Sequence, residues 1–394
     1  MKNVLILGGG FAGVDAAVHL KKENYNVTLV TDRDYFYIYP TSIWVPTGES
    51  KFEDVCVDIK ELRAAHGFHL IVDAVESISA KEGKVTLKSG KVLDEYDHLI
   101  LAMGASKMKH EGIEHTLSIC GAPEQSLALK AKVDEIVAKG SGKICFGFGG
   151  NPNDTSAVRG GPGFELFFNI HNLLKKKGIR DNYEMTFFAP MEQPGKRMGK
   201  NALGMMDKMF DMHNLKQHFG KKIKRFEEDG IIFADDSKLD SDFTMFIPAG
   251  DGHEVVKDSD LPTNDAGFVK TDDYSMVKVA GMSREHNIYA IGDIASLEGY
   301  EWRAKQGHVA EVMAKNVVHN IKEKDNGGTS FLGYHKHLNI LCVMDTGDGA
   351  AFVYRDDKRA FMIPMPIVGH WLKKGWGYYC RYSKLGKIPR IPGM

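Results

Sequence analysis

The sequence predicts an α/β fold built from two units in which strand, turn and helix alternate, closed by a C-terminal segment of another kind. Three observations lead there. A glycine-rich turn separates an apolar strand from a helix at the start of the chain, and a degenerate copy of that arrangement begins at Lys143. After Asp357 the chain then runs on without a single acidic residue. Short β-rich runs alternating with helical patterns are the mark of βαβ units and parallel sheets.

The first unit is the clearest. Val4–Leu7 is β-rich, Gly8-Gly9-Gly10-Phe11-Ala12-Gly13 follows at once, Val14–Lys22 has helical periodicity, and Asn26–Val30 is apolar again. Gly8, Gly10 and Gly13 spell GxGxxG in the strand–turn–helix context that gives the pattern meaning. The first glycine permits the tight turn, and the second lets the backbone approach a pyrophosphate. The third allows helix and strand to pack closely, with phosphates on the helix N-terminus. Asp32, followed by Arg33, lies 19 residues after Gly13, near where a ribose-binding acid belongs. A purely structural glycine turn is the alternative. The spacing favours a Rossmann-like unit whose turn residues, Phe11 and Ala12 included, hold a dinucleotide.

The second unit repeats the order with Lys143–Phe148 as strand, Gly147–Gly150 as turn, Gly161–Lys177 as helix and Glu184–Ala189 as strand. Here the turn expands from Gly149 to Gly160. That expansion pulls the helix N-terminus away from any pyrophosphate. The repeat is expected to be a pseudo-dinucleotide unit that does not bind NADH.

Composition bounds the rest. At 394 residues the chain suits two or three domains, each able to bury a core. Lys plus Arg number 51 against 52 for Asp plus Glu, which excludes a globally basic nucleic-acid binder and an acidic disordered chain. No apolar run reaches the ~18 residues of a spanning helix. The chain passes from Met1-Lys2 straight into a strand, so no signal peptide is expected. Five cysteines without a CxxC pair argue against a disulfide scaffold or a zinc site. His335-Lys336-His337 reads as surface, and no metal site is expected.

The tail carries eight cations after Asp357: Lys358, Arg359, Lys373, Lys374, Arg381, Lys384, Lys387 and Arg390. Trp371, Trp376, Tyr378, Tyr379 and Tyr382 are interleaved with them. Basic and interfacial aromatic residues without a spanning run suggest a segment lying on an anionic membrane surface. An RNA-binding patch or a helix docked on a partner would look similar. The rest of the chain offers no nucleic-acid module, so no nucleic-acid partner is expected.

Two further strands narrow the dinucleotide. Tyr96-Asp97-His98-Leu99-Ile100-Leu101-Ala102-Met103-Gly104 ends in Ala-x-Gly, and Asn287-Ile288-Tyr289-Ala290-Ile291-Gly292-Asp293 ends in Gly-Asp. Both resemble the second and third FAD motifs of the glutathione-reductase-like flavoproteins with two dinucleotide-binding domains. That resemblance implies FAD, with Ala102, Gly104 and Gly292 at the cofactor and Asp293 on the ribityl chain.

Over nearly its whole length the sequence also resembles the sulfide:quinone oxidoreductases, with flavocytochrome c sulfide dehydrogenases and type II NADH dehydrogenases as cousins. The resemblance rests on Val27–Phe36 with Pro40, Ser118-Ile119-Cys120, Gly161-Pro162-Gly163-Phe164-Glu165 and Lys177–Arg180. It continues through Phe243–Pro248, Cys342–Asp348 and His370-Trp371. It implies an enzyme that moves two electrons from sulfide, or another small sulfur donor, through FAD to a membrane quinone. Cys342 matches the family's C-terminal catalytic cysteine, and Cys120 matches an additional cysteine of many bacterial members. Glu165 matches a proton-handling carboxylate, and Lys305-Gln306 a Lys-x-Gly stretch against the flavin. Where the first catalytic cysteine is expected, the sequence has Arg159 and Gly160. Cys145 is expected in the core, Cys56 reads as structural, and Cys380 is expected away from the chemistry.

The implied organisation is an FAD domain at 1–115 and 265–325, a pseudo-NAD domain at 116–264, and a C-terminal segment at 326–394. That segment carries Cys342 and ends in a membrane-facing tail. The expected protein is a peripheral membrane enzyme and a homo-oligomer. A type II NADH:quinone dehydrogenase is one alternative. A flavoprotein with a non-sulfide donor, or one docked to a redox partner, is the other.

Overall fold

The computed structural model describes residues 1–283 and 286–390; the last four residues of the predicted tail lie outside them. The first sheet has six strands in the order Met276–Val277, Asn287–Ala290, His98–Leu101, Asn3–Leu7, Asn26–Thr31, His69–Val72. All pair in parallel except the Met276–Val277 edge. The inner strands, buried on both faces, are nearly continuous apolar runs, as a parallel sheet covered by helices requires, and the His69–Val72 edge is only partly covered. Phe11–Lys22 and Gly307–Asp325 form a helix pair over it. The chain therefore returns after residue 265 to complete the sheet it began.

The second sheet has five parallel strands, in the order Thr116–Leu117, Phe243–Ile247, Gly142–Phe148, Tyr183–Ala189, Lys216–Phe219. Its core is aromatic: Phe164 of the Gly161–Lys176 helix stacks on Phe187 at 4.2 Å. Such pairs add about 1 kcal/mol each beyond their buried area. Ser106–Lys107 already pairs with Gly250–Asp251, so the chain leans on this unit before its first strand begins.

Ile340–Asp345, Gly349–Arg355 and Ala360–Pro366 make a three-stranded antiparallel sheet. The final helix, Val368–Lys384, packs against it. Glycine makes the close approach possible. A Cβ on Gly369 would lie 2.5 Å from Ala350 Cβ, and one on Gly377 would lie 2.7 Å from Thr41 Cγ2. Ile367, just before the helix, has φ +62°, a strained conformation for a β-branched residue.

The tail differs from its sequence reading in one respect. Most of its cations face inward. Lys384 and Lys373 are buried in ion pairs with Asp15 and Glu165, Lys374 meets Glu49, and Arg390 meets Asp15. Arg381 donates to the carbonyls of Glu53, Asp54 and Cys56. Lys358, Arg359 and Lys387 are exposed. The outer surface is apolar instead, with Ile367, Val368, Trp371, Leu372 and Tyr378 each more than half exposed. A local charge count misses the acids that come from elsewhere in the fold. Among the described residues, no helix is long and apolar enough to cross a membrane.

Candidate active site

Parallel sheets open a crevice at the carboxyl ends of their strands, where the strand order reverses. Here Asn3–Leu7 leads into the glycine turn, and its neighbour His98–Leu101 leads to Ala102 and Gly104. The next strand, Asn287–Ala290, leads to Gly292 and Asp293. All three motif ends line one cavity of about 1010 Å³ that extends to the C-terminal sheet and helix.

The glycines divide their work as the spacing implies. Gly8 has φ +113°, and a Cβ there would lie 2.3 Å from Ala102 O. A Cβ on Gly13 would strike Gly8 O, so Gly13 closes helix onto turn and does not line the cavity. Gly10 faces open space at the helix N-terminus, where any side chain would fill the cradle a pyrophosphate needs. Phe11, Ala12, Asp32 and Arg33 also line the cavity. Asp32 is well exposed and touches Arg33 at 3.4 Å. This end fits a dinucleotide such as FAD.

The middle of the cavity departs from expectation. Asp293 is ion-paired with Arg159, the residue standing where the resemblance led one to expect a cysteine. Lys305 lines the cavity, but its ammonium donates to Ala295 O and sits 3.9 Å from the centre of the Phe268 ring. Burial presses Lys305 down to about 7. Its charge is turned into the protein rather than held out to a ligand. Gln306 stands just before the following helix and accepts a hydrogen bond from Leu341 N at 3.4 Å, tying this end to the strand that bears Cys342.

At the far end, Cys120, Glu165 and Cys342 line the wall together with Lys107 and Lys373. Burial pushes the Cys342 thiol up to about 12, with the Glu165 carboxylate adding to the shift and Lys373 opposing it. Burial also raises Cys120, against the pull of Lys107 and Arg159. Glu165 raises both thiols, so its carboxylate belongs to both environments. Sulfur chemistry works through the thiolate, and burial moves both thiols away from that form. Glu165 itself is raised by burial, and its ion pair with Lys373 resists the shift. Cys145 and Cys380 are buried in the core and Cys56 is half-buried, none of them at the cavity.

Sequence reasoning missed Lys107 and the cluster around Asp345 and His370. The stretches Cys342–Asp348 and His370-Trp371 were visible, but nothing local showed that they meet. Among the described residues, no group of His, Cys, Asp and Glu could hold a metal.

The family model described as pyridine nucleotide-disulphide oxidoreductase matches residues 2–315. The chain belongs to this family. As a pyridine nucleotide-disulphide oxidoreductase it is an FAD-dependent oxidoreductase, and the cavity's glycine cradle agrees with that cofactor. The chain is 29% identical over 381 residues to the sulfide-quinone reductase of Aquifex aeolicus, covering 90% of this chain and 84% of that protein. It is 21% identical over 389 residues to a type II NADH:quinone oxidoreductase of Staphylococcus aureus, covering 92% and 93%. The solved sulfide:quinone oxidoreductase of Aquifex aeolicus superposes with a TM-score of 0.87 at 26% identity, covering 100% of this chain and 93% of that one. NDH2 of Plasmodium falciparum, at 13% identity and a TM-score of 0.75, shares the fold, covering 100% and 99%.

Proposed function

We propose that the protein takes electrons from sulfide, or a related small sulfur donor, and passes them to a membrane quinone. The observation that carries this reading is the single cavity. It runs from the dinucleotide cradle at Gly10 past Cys120 and Cys342 to Lys373 and Trp376 of a helix whose outer surface is apolar and exposed, with Leu372 shared between cavity and surface. Bound FAD supplies a two-electron carrier between donor and acceptor. Among the described residues, Cys120 and Cys342 are the two thiols at the cavity, and both must lose a proton before they act as nucleophiles. Glu165, whose charge acts on both thiols and which is already paired with Lys373, is suited to accept it. Arg159 in place of a third thiol leaves the sulfur to these two. The apolar face of the final helix rests on a membrane surface, where quinones dissolve.

The comparisons also favour NADH as donor, through the type II relatives. The second glycine loop speaks against it. That loop is filled by its own side chains: Asn151 donates to Gly250 O at 2.9 Å, and Asp154 accepts from Ser156 N at 2.9 Å. Residues 151–160 separate its glycines from the helix that would hold a pyrophosphate, which draws that helix N-terminus away. An anaerobic titration of the FAD-loaded protein separates the two. Sulfide should bleach the flavin absorbance, with NADH leaving it unchanged, and Cys342→Ala should abolish the response to sulfide. Rapid bleaching by NADH would sink this reading.

A further inference from the structure

A line of acid–base groups leads from the protein surface to the cavity wall. His370 sits in the first turn of the final helix with both ring nitrogens engaged. Nδ1 lies 2.6 Å from Asp345 Oδ2, and Nε2 lies 2.7 Å from Glu49 Oε1. Asp345 is held by its other oxygen, which accepts from Gly347 N at 2.9 Å, Asn169 Nδ2 at 3.0 Å and Trp44 Nε1 at 3.3 Å. That leaves Oδ2 for the imidazole. Asp345 N donates at 3.2 Å to Glu165, and Lys373 is ion-paired to the same carboxylate. The side chains grow steadily less exposed along the line: 31% at Glu49, 12% at His370, 0% at Asp345. Lys374 holds Glu49 from outside at 2.6 Å. The charged groups facing His370 are thus Glu49, Asp345 and Lys374, with Lys373 and Glu165 behind them.

We infer that Glu49, His370 and Asp345 form a proton-entry relay that resupplies the Glu165–Lys373 pair during quinone reduction. This rests on the quinone half of the proposed function. Converting a quinone to its quinol adds two electrons and two protons and forms two O–H bonds. The reduced enzyme supplies the electrons. A proton leaving the Glu165–Lys373 pair for a quinone oxygen is replaced from the Asp345 carboxyl through one intervening water, because Asp345 meets Glu165 directly through its backbone amide; the carboxyl draws on His370 Nδ1. His370 Nε2 in turn takes a proton from Glu49, which solvent recharges. An imidazole between two carboxylates suits this traffic, because it accepts on one nitrogen as it releases from the other. Trp44 packs edge-on against the imidazole, with ring centres 5.3 Å apart.

The test begins from FAD-loaded protein reduced with dithionite, so that the sulfur donor plays no part. A short-chain quinone is added, and flavin reoxidation is followed by stopped flow across neutral and alkaline pH. His370→Gln and Asp345→Asn should slow reoxidation by at least about tenfold, most at alkaline pH, and free imidazole should restore rate to His370→Gln. Glu49→Gln, at a partly exposed position that a fold tolerates, should slow it by a smaller factor with the same pH trend. Quinone binding, read separately by quenching of tryptophan fluorescence, should stay within about twofold of the parent protein, as a relay rather than a structural role requires. Equal reoxidation rates and pH profiles in parent, His370→Gln and Glu49→Gln overturn the relay. So does a loss of rate that merely follows a loss of quinone binding. If the parent protein itself is not reoxidised by quinone, the functional reading fails instead.

Discussion

Lys305 and Lys107 show how far a cavity wall can move a side chain from its ordinary state. Burial presses Lys305 from 10.5 to about 7 and Lys107 from 10.5 to about 8. Each carries fewer protons folded than unfolded between those limits, so folding stability should rise as pH rises from about 7 to about 9. Above that, thiols raised to about 12, such as Cys342 and Cys145, act in the opposite sense. Urea midpoints of the FAD-loaded protein should therefore climb over that window, by up to about 1 kcal/mol per pH unit for one group. Lys305→Met should flatten the climb, and an unchanged slope would show the ammonium to be solvated. At this scale the sequence was uneven. Gly8, Gly10 and Gly13 were legible because their constraint is local backbone geometry. Arg159 was visible as a departure, but its pairing with Asp293 spans two sheets, and no spacing rule reaches that far.

The final helix is the element in which sequence and structure diverge most. Its aromatic residues were expected at an interface, and Trp371 and Tyr378 do lie exposed. Its cations were expected beside them and instead turn inward to carboxylates from other segments. Attachment to a membrane should then depend little on salt and strongly on apolar contact. Liposome co-sedimentation should persist with neutral lipid and at high salt, and should weaken in Trp371→Ala. Ile367 sharpens the point, since it holds φ +62° while exposing its side chain. Ile367→Gly relieves the strain and should stabilise the protein by about 1 kcal/mol in a denaturant titration. The same change should reduce liposome pelleting. A variant neither more stable nor weaker in binding would leave the strained isoleucine without a role.

Across the whole molecule, the two sheets were foreseeable because hydrophobic runs and turn glycines report local structure. The closure of the molecule was not. Asp15, on the first helix, is 1% exposed and meets Lys384 at 2.6 Å, with Arg390 Nη1 at 3.0 Å. Burial alone would raise Asp15, but Lys384 and Arg390 outweigh it and hold the carboxyl below its usual range. A group depressed in this way stabilises the fold at neutral pH, and that contribution is lost as pH falls through its folded value. Lys384→Ala leaves a buried carboxylate short of its main partner and should cost about 3 kcal/mol in urea unfolding. Limited proteolysis should cut the final helix first in that variant. Resistance equal to that of the parent protein would mean that Arg390 alone suffices.

The distance along the chain between Asp15 and Lys384 has a consequence for biosynthesis. A ribosome finishes the nucleotide-binding turn and its helix early, yet the partner for the charge inside that helix emerges 369 residues later. Domains made first ordinarily fold first. Here the N-terminal sheet also lacks Asn287–Ala290 until most of the chain is made. The nascent protein thus carries an incomplete sheet and an uncompensated acid through most of its synthesis. Chains released short of Lys384 should appear as soluble fragments that chaperones hold and proteases clear, and that retain FAD poorly.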